Sequence, residues 1–131
     1  MRKETVVRGE RGRVVLLDTI TSVDANDGGA IVVAASHGGT SSGEFALLYP
    51  LAAVFFNDAG VGKDDAGIAA LAMLQARGVA AGAVSHQSCR IGDAEDMWRH
   101  GVISHANSAA LALRLLPGMS LREALTRFAG A

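Results

Sequence analysis

Ala30-Ile31-Val32-Val33-Ala34-Ala35-Ser36-His37-Gly38-Gly39 is an unbroken apolar run that ends abruptly in a polar, glycine-rich tip. A strand buried on both faces carries this signature, with no alternation along its length and loop chemistry where it emerges. The pattern recurs downstream. Residues 51–56 form a second apolar run ending at Asn57-Asp58, and residues 79–84 a third ending at Ser85-His86. Helical signals fall between them: Ser42 as the cap of a short helix over residues 43–49 that Pro50 stops, and a longer helix over residues 63–77 closed by Gly78. Asp93 then caps a helix over residues 94–99, and a short run, Val102-Ile103, ends at Ser104-His105. Asn107 or Ser108 opens a helix through Leu116, and Ser120-Leu121-Arg122-Glu123 resembles a capping box opening a last one. Strand-helix alternation of this kind predicts a single α/β layered domain with a mostly parallel central sheet flanked by helices.

Upstream, Val14-Val15-Leu16-Leu17-Asp18-Thr19-Ile20-Thr21 is rich in β-branched residues, and Asp24-Ala25-Asn26-Asp27-Gly28-Gly29 is dense in turn formers. A hairpin from residues 14–22 into residues 30–35 is expected, preceded by a charged segment, residues 1–13, as an edge strand or arm. The 131 residues are 50% hydrophobic but only 5% aromatic, which implies one domain with an aliphatic, alanine-rich core. With 12 basic and 13 acidic residues the net charge is -1, so no global field attracts nucleic acid or an anionic membrane. No apolar stretch reaches the roughly 18–20 residues that cross a bilayer. The single cysteine, Cys89, precludes an internal disulfide. Residues 1–13 are charged and lack the apolar segment of a secretory leader, and a cytoplasmic location is expected.

The polar tips carry the chemistry, because loops at the carboxyl ends of parallel strands line the ligand crevice of open α/β sheets. At the first tip, Ser36, His37, Gly38 and Gly39 offer a hydroxyl, an imidazole and two backbone N–H groups open to a ligand oxygen. The plainer alternative is that the glycines only turn the chain. At the second tip, Asn57-Asp58-Ala59-Gly60-Val61-Gly62-Lys63-Asp64-Asp65-Ala66-Gly67 joins a strand to a helix. It fails as a Walker A loop, because Asn57 stands where the first glycine belongs and Asp64 where a Ser or Thr must follow Lys63. Asp58 is the candidate acid or base, Lys63 the cation, and Asn57 and Asp64 further substrate contacts, unless Asp64 and Asp65 are solvated helix-start residues.

At the third tip, Ser88, Arg90 and Asp93 follow His86, and Arg90 has the planar fork that clamps a carboxylate. An ion pair of Arg90 with Asp93 or Asp58 is the structural alternative. Cys89 reads as a small core residue rather than a nucleophile. His105 and Asn107 repeat the arrangement at the last strand-like run, whereas His100 reads as a helix-end residue. Three imidazoles plus Asp58 are potential ligands for a divalent metal, yet no HxH, HExxH or CxxC spacing accompanies them, so a site without metal or other cofactor is expected.

Ser36–Gly39 together with residues 57–67, residues 88–93 (SxRIGD) and residues 101–107 (GVISHxN) resemble the motifs of a family of small, uncharacterised bacterial α/β proteins, over about residues 30–124. The resemblance implies a compact α/β fold with these segments as its characteristic motifs; it implies no activity, ligand or catalytic residue. The expected function is cofactor-independent acid–base or hydrolytic chemistry on a small polar metabolite bearing a carboxylate or amide, carried by His37, Asp58 and His86. The competing expectation is a non-catalytic metabolite-binding module or a small subunit of a larger complex. Homo-oligomerisation through the apolar helices at residues 111–116 and 121–128 would suit either.

Overall fold

The computed structural model describes residues 2–131. Six strands form one sheet: β1 (Lys3–Gly9), β2 (Gly12–Leu17), β3 (Ile31–His37), β4 (Ala53–Asn57), β5 (Ala80–Val84) and β6 (Ile103–Ala106), neighbours in space in the order of sequence. Five helices accompany them: α1 (Thr40–Ala46), α2 (Ala69–Gln75), α3 (Ala94–His100), α4 (Ser108–Ala112) and α5 (Leu121–Ala129). The chain is thus α/β with helices on both sheet faces. The sheet is mixed rather than mostly parallel: β2 to β5 run parallel, but β1 pairs antiparallel with β2 and β6 antiparallel with β5.

The N-terminal hairpin exists but is built from different strands than expected. It joins β1 to β2 through the tight turn Gly9-Glu10-Arg11-Gly12, whereas β2 and β3, expected as the hairpin, lie parallel. The physical reason is in the residues themselves. Val14, Val15, Leu16 and Leu17 are all buried, as are Ile31 to Ala35, so both strands need cover on two faces, and the connection between them is long enough to cross over. That connection winds through 3-10 turns at Ile20–Ser22 and Ala25–Asp27, the second closed by a capping box between Asp24 and Asp27. Lys3 Nζ reaches from β1 to both Asp24 and Asp27 at 2.9 Å and pins the connection under the hairpin.

Side chains alternate cleanly across the central strands. Val15, Leu17, Val32, Ala34, Val54 and Phe56 face α1 and α2, while Val14, Leu16, Ile31, Val33, Ala53 and Phe55 face α3 and α5. Two boundaries differ from expectation. The long helix over residues 63–77 is interrupted: Lys63–Ile68 forms 3-10 turns broken by Asp64 and Asp65 in the left-handed region, and α-helix starts only at Ala69. The helix after β3 begins at Thr40, ahead of Ser42, whose hydroxyl donates to the His37 carbonyl at 2.6 Å instead of capping. Asp93, Asn107 and Ser120 do cap α3, α4 and α5. The apolar stripe of α5 (Leu121, Ala124, Leu125, Ala129) packs on the sheet within the chain.

No helix among the described residues is long and apolar enough to cross a membrane.

Candidate functional site

The connections after β4 and β5 part company. The chain leaving β4 turns into α2 on one face of the sheet, and the chain leaving β5 turns into α3 on the other. Two adjacent parallel strands whose loops diverge in this way leave a crevice between their carboxyl ends, the usual ligand position in open α/β sheets. Asp58 follows β4 and His86 follows β5, and they meet in that crevice: His86 Nδ1 lies 3.0 Å from Asp58 Oδ1.

Asp58 is buried, its side chain 6% exposed, while the His86 side chain is 49% exposed. Three further donors converge on the carboxylate. The Gly60 N–H reaches Oδ1 at 2.8 Å, the His86 N–H reaches Oδ1 at 3.1 Å, and the Ser104 hydroxyl reaches Oδ2 at 2.7 Å. Burial pushes the Asp58 carboxyl up, and these bonds from Gly60, Ser104 and His86 outweigh it, holding the group below its ordinary value. An ionised carboxylate only accepts, so His86 must carry its proton on Nδ1 and present Nε2 as the free basic nitrogen. The antiparallel β6 enters the sheet at this same edge, which is how Ser104 reaches Asp58; His105 lies within β6, with Nδ1 2.9 Å from Ser104 Oγ and 3.9 Å from Asp58 Oδ2.

The segment that holds Asp58 in place is conformationally unusual. Ala59, Gly60, Val61 and Gly62 have φ of 51°, 77°, 66° and 74°, and Asp64 and Asp65 follow at 58° and 59°. Left-handed backbone costs a β-branched residue most, so Val61 here is strained and overdetermined by its surroundings. Those surroundings are hydrogen bonds: Ala59 N–H to Asn57 Oδ1 at 2.8 Å, Val61 N–H to Asp58 O at 2.7 Å and Gly67 N–H to Val61 O at 2.6 Å. Only glycine fits at position 67, where a Cβ would lie 2.4 Å from the Asp58 carbonyl oxygen.

Of the residues singled out in the sequence, the crevice brings together Asp58 and His86, with His105 joined through Ser104. A cleft of about 500 Å³ opens before His86, lined by Asn57, Ala59, His86, Cys89, Arg90 and Ile91. His37 is exposed but lines a neighbouring cleft with Ala59, Val61 and Gly67, and its ring bonds to neither Asp58 nor His86. The chain leaving β3 goes to the same face as the chain leaving β4, and the cleft between their loops is lined by His37 but not by Asp58 or His86. Gly38 donates its N–H to the Asn57 carbonyl at 3.2 Å, and Gly39 stands at the start of α1, so Gly38 has no N–H to offer a ligand.

Several polar side chains are occupied with the fold. Ser36 Oγ accepts from the Ile20 N–H, and Ser88 Oγ bridges the Ser85 carbonyl and the Val102 N–H. Asn57 is fully buried, its amide divided between Ala59 and Cys89. Asn107 bonds the backbone of Leu71, Val79, Ala81 and Ala110. Asp93 caps α3 and lies 3.5 Å from Arg90, so the ion-pair alternative for Arg90 holds with Asp93 and not with Asp58. Arg90 is still 77% exposed at the rim of the His86 cleft. Lys63 and Asp64 are exposed and form no ion pair among the described residues. Burial pushes the Cys89 thiol up, as befits a core residue.

Ser104, which was not among the candidate residues of the sequence, joins the cluster through its bonds to Asp58 and His105. Its signal was present in the recurring Ser-His pairs, but only the direction of β6 brings this serine to Asp58. No three His, Cys, Asp or Glu side chains among the described residues converge as metal ligands. No family model, curated protein or solved structure matches the chain. The chemistry therefore rests on the geometry of the Asp58 crevice.

Proposed function

We propose that the protein is an enzyme of small-molecule acid–base chemistry, with His86 Nε2 as the group that takes and returns a proton. The observation that carries this reading is the buried, ionised Asp58 bonded to a half-exposed imidazole in the crevice between β4 and β5. Asp58 fixes the tautomer and orientation of the ring and stabilises the imidazolium formed when Nε2 accepts a proton, without itself becoming protonated. Arg90, at the rim of the same cleft, supplies a guanidinium for a substrate carboxylate or amide carbonyl. Hydrolysis follows if the proton comes from water, and elimination or isomerisation if it comes from substrate carbon; both use the same nitrogen. His37 stands outside this machinery, in the adjoining cleft beyond Ala59.

The test is a thermal-shift screen of small carboxylates and amides, followed by turnover assays on every stabiliser. A true substrate raises Tm and is consumed, and H86N keeps the Tm response while losing about a hundred- to ten-thousand-fold in kcat. Turnover by H86N at the wild-type rate would remove the proposal, and stabilisers that are never consumed would favour a binding module instead.

A further inference from the structure

We propose that Asp58 serves two imidazoles, His86 directly and His105 through the Ser104 hydroxyl, so that Ser104 is a positioning residue and His105 a second acid–base group of the site. The inference deepens the proposed function and rests on it for the role of His86. Ser104 Oγ lies 2.7 Å from Asp58 Oδ2, 2.9 Å from His105 Nδ1 and 3.3 Å from the Ala83 carbonyl. A hydroxyl has one proton to give, and the ionised carboxylate is both its nearest and its strongest acceptor. With that proton directed at Asp58, the oxygen facing His105 can only accept, so His105 Nδ1 must be the donor. At 3.9 Å, His105 is too far from Asp58 for a hydrogen bond of its own. The hydroxyl therefore transmits the constraint: both rings are protonated on Nδ1, and both have Nε2 free.

The two free nitrogens open on different surroundings. His86 faces the cleft with Arg90 and Cys89, whereas His105, 39% exposed, faces a groove of about 460 Å³ walled by Ile68, Leu71, Leu111 and Pro117. The site can thus handle a proton beside a charged group at one imidazole and beside an apolar group at the other. Asp58 stays ionised throughout, and no proton passes along it.

Long-range ¹H–¹⁵N spectra of the histidine-labelled whole protein at pH 8 read the tautomers directly. Wild type should show the Nδ1–H form for both His86 and His105. S104A should return His105 to the Nε2–H form that imidazole favours in water, with His86 unchanged, and S104T, which keeps the hydroxyl, should restore it. An Nε2–H form of His105 in wild type, or no change in S104A, overturns the relay while leaving the proposed function standing. An Nε2–H form of His86 in wild type would instead overturn the reading of the Asp58–His86 pair itself.

Discussion

Asp58 accepts from Gly60, Ser104 and twice from His86, and each bond is stronger when the carboxylate is ionised. Its folded value lies below the ordinary one, so the stability it contributes is present above the ordinary aspartate range and lost as pH falls through the lower folded value. D58N, which puts an amide donor among donors, should cost about 2 kcal/mol in urea unfolding at pH 7. That deficit should persist down to about pH 4 and shrink at lower pH; a deficit independent of pH would show that Asp58 acts through shape alone. Cys89 is governed by burial in the other sense. Its thiol donates to the Ser85 carbonyl and its ionisation is pushed up, so iodoacetamide at pH 8 should label the native protein far more slowly than the urea-unfolded chain. Labelling at equal rates would place the thiol in solvent.

The loop from Ala59 to Gly62 shows most sharply how an element departs from its local preferences. The density of glycine and aspartate marks it as irregular, yet the same residues also fit the start of a helix. The α-helix begins only at Ala69, because Asp64 and Asp65 are held left-handed and Gly67 closes on the Asp58 carbonyl. Val61 at φ 66° carries the largest local penalty, about 1–2 kcal/mol for a β-branched residue. V61G should therefore raise the midpoint of urea unfolding by an amount worth about 1 kcal/mol, despite the lost side chain, and a lower midpoint would show that the Val61 side chain contributes more than its backbone costs. Strand identity was legible in the runs that became β2 to β5, since continuous apolar sequence reports burial on two faces. Strand direction was legible for β3 to β5, expected and found parallel, but not for β2 or for the antiparallel edge strands β1 and β6. The turn-rich Asp24–Gly29 segment suggested a hairpin, but two-sided burial of β2 and β3 favoured a parallel crossover, and the hairpin formed upstream, where Gly9 and Gly12 flank a two-residue turn.

Across the whole molecule the ends of the chain are tied together. The hairpin turn rests against α5, with Arg11 Nε donating to the Phe128 carbonyl at 2.7 Å and the Arg11 N–H to the Ala129 carbonyl at 2.9 Å. These bonds satisfy carbonyls at the helix end that have no partner within the helix. Leu125 of α5 is fully buried against the sheet. L125A should destabilise the protein by about 2–5 kcal/mol without altering the His86 tautomer, which denaturant unfolding and histidine NMR together would check.

Apolar runs, caps and turn residues are local, and they were enough to place the strands, most of the helices and the polar tips where a ligand could bind. They could also name Asp58, His86 and His105 as candidates, because titratable groups at strand ends stand out from an aliphatic background. Which of those groups touch depended on the folded arrangement. Pairing between strands distant in sequence is fixed by non-local burial, and the change of helical face between β4 and β5 opened the one crevice in which Asp58 and His86 could meet. The same non-local terms turned β6 antiparallel and brought Ser104 to the carboxylate, while His37, on a strand whose loop follows its neighbour to the same face, was left in the adjoining cleft.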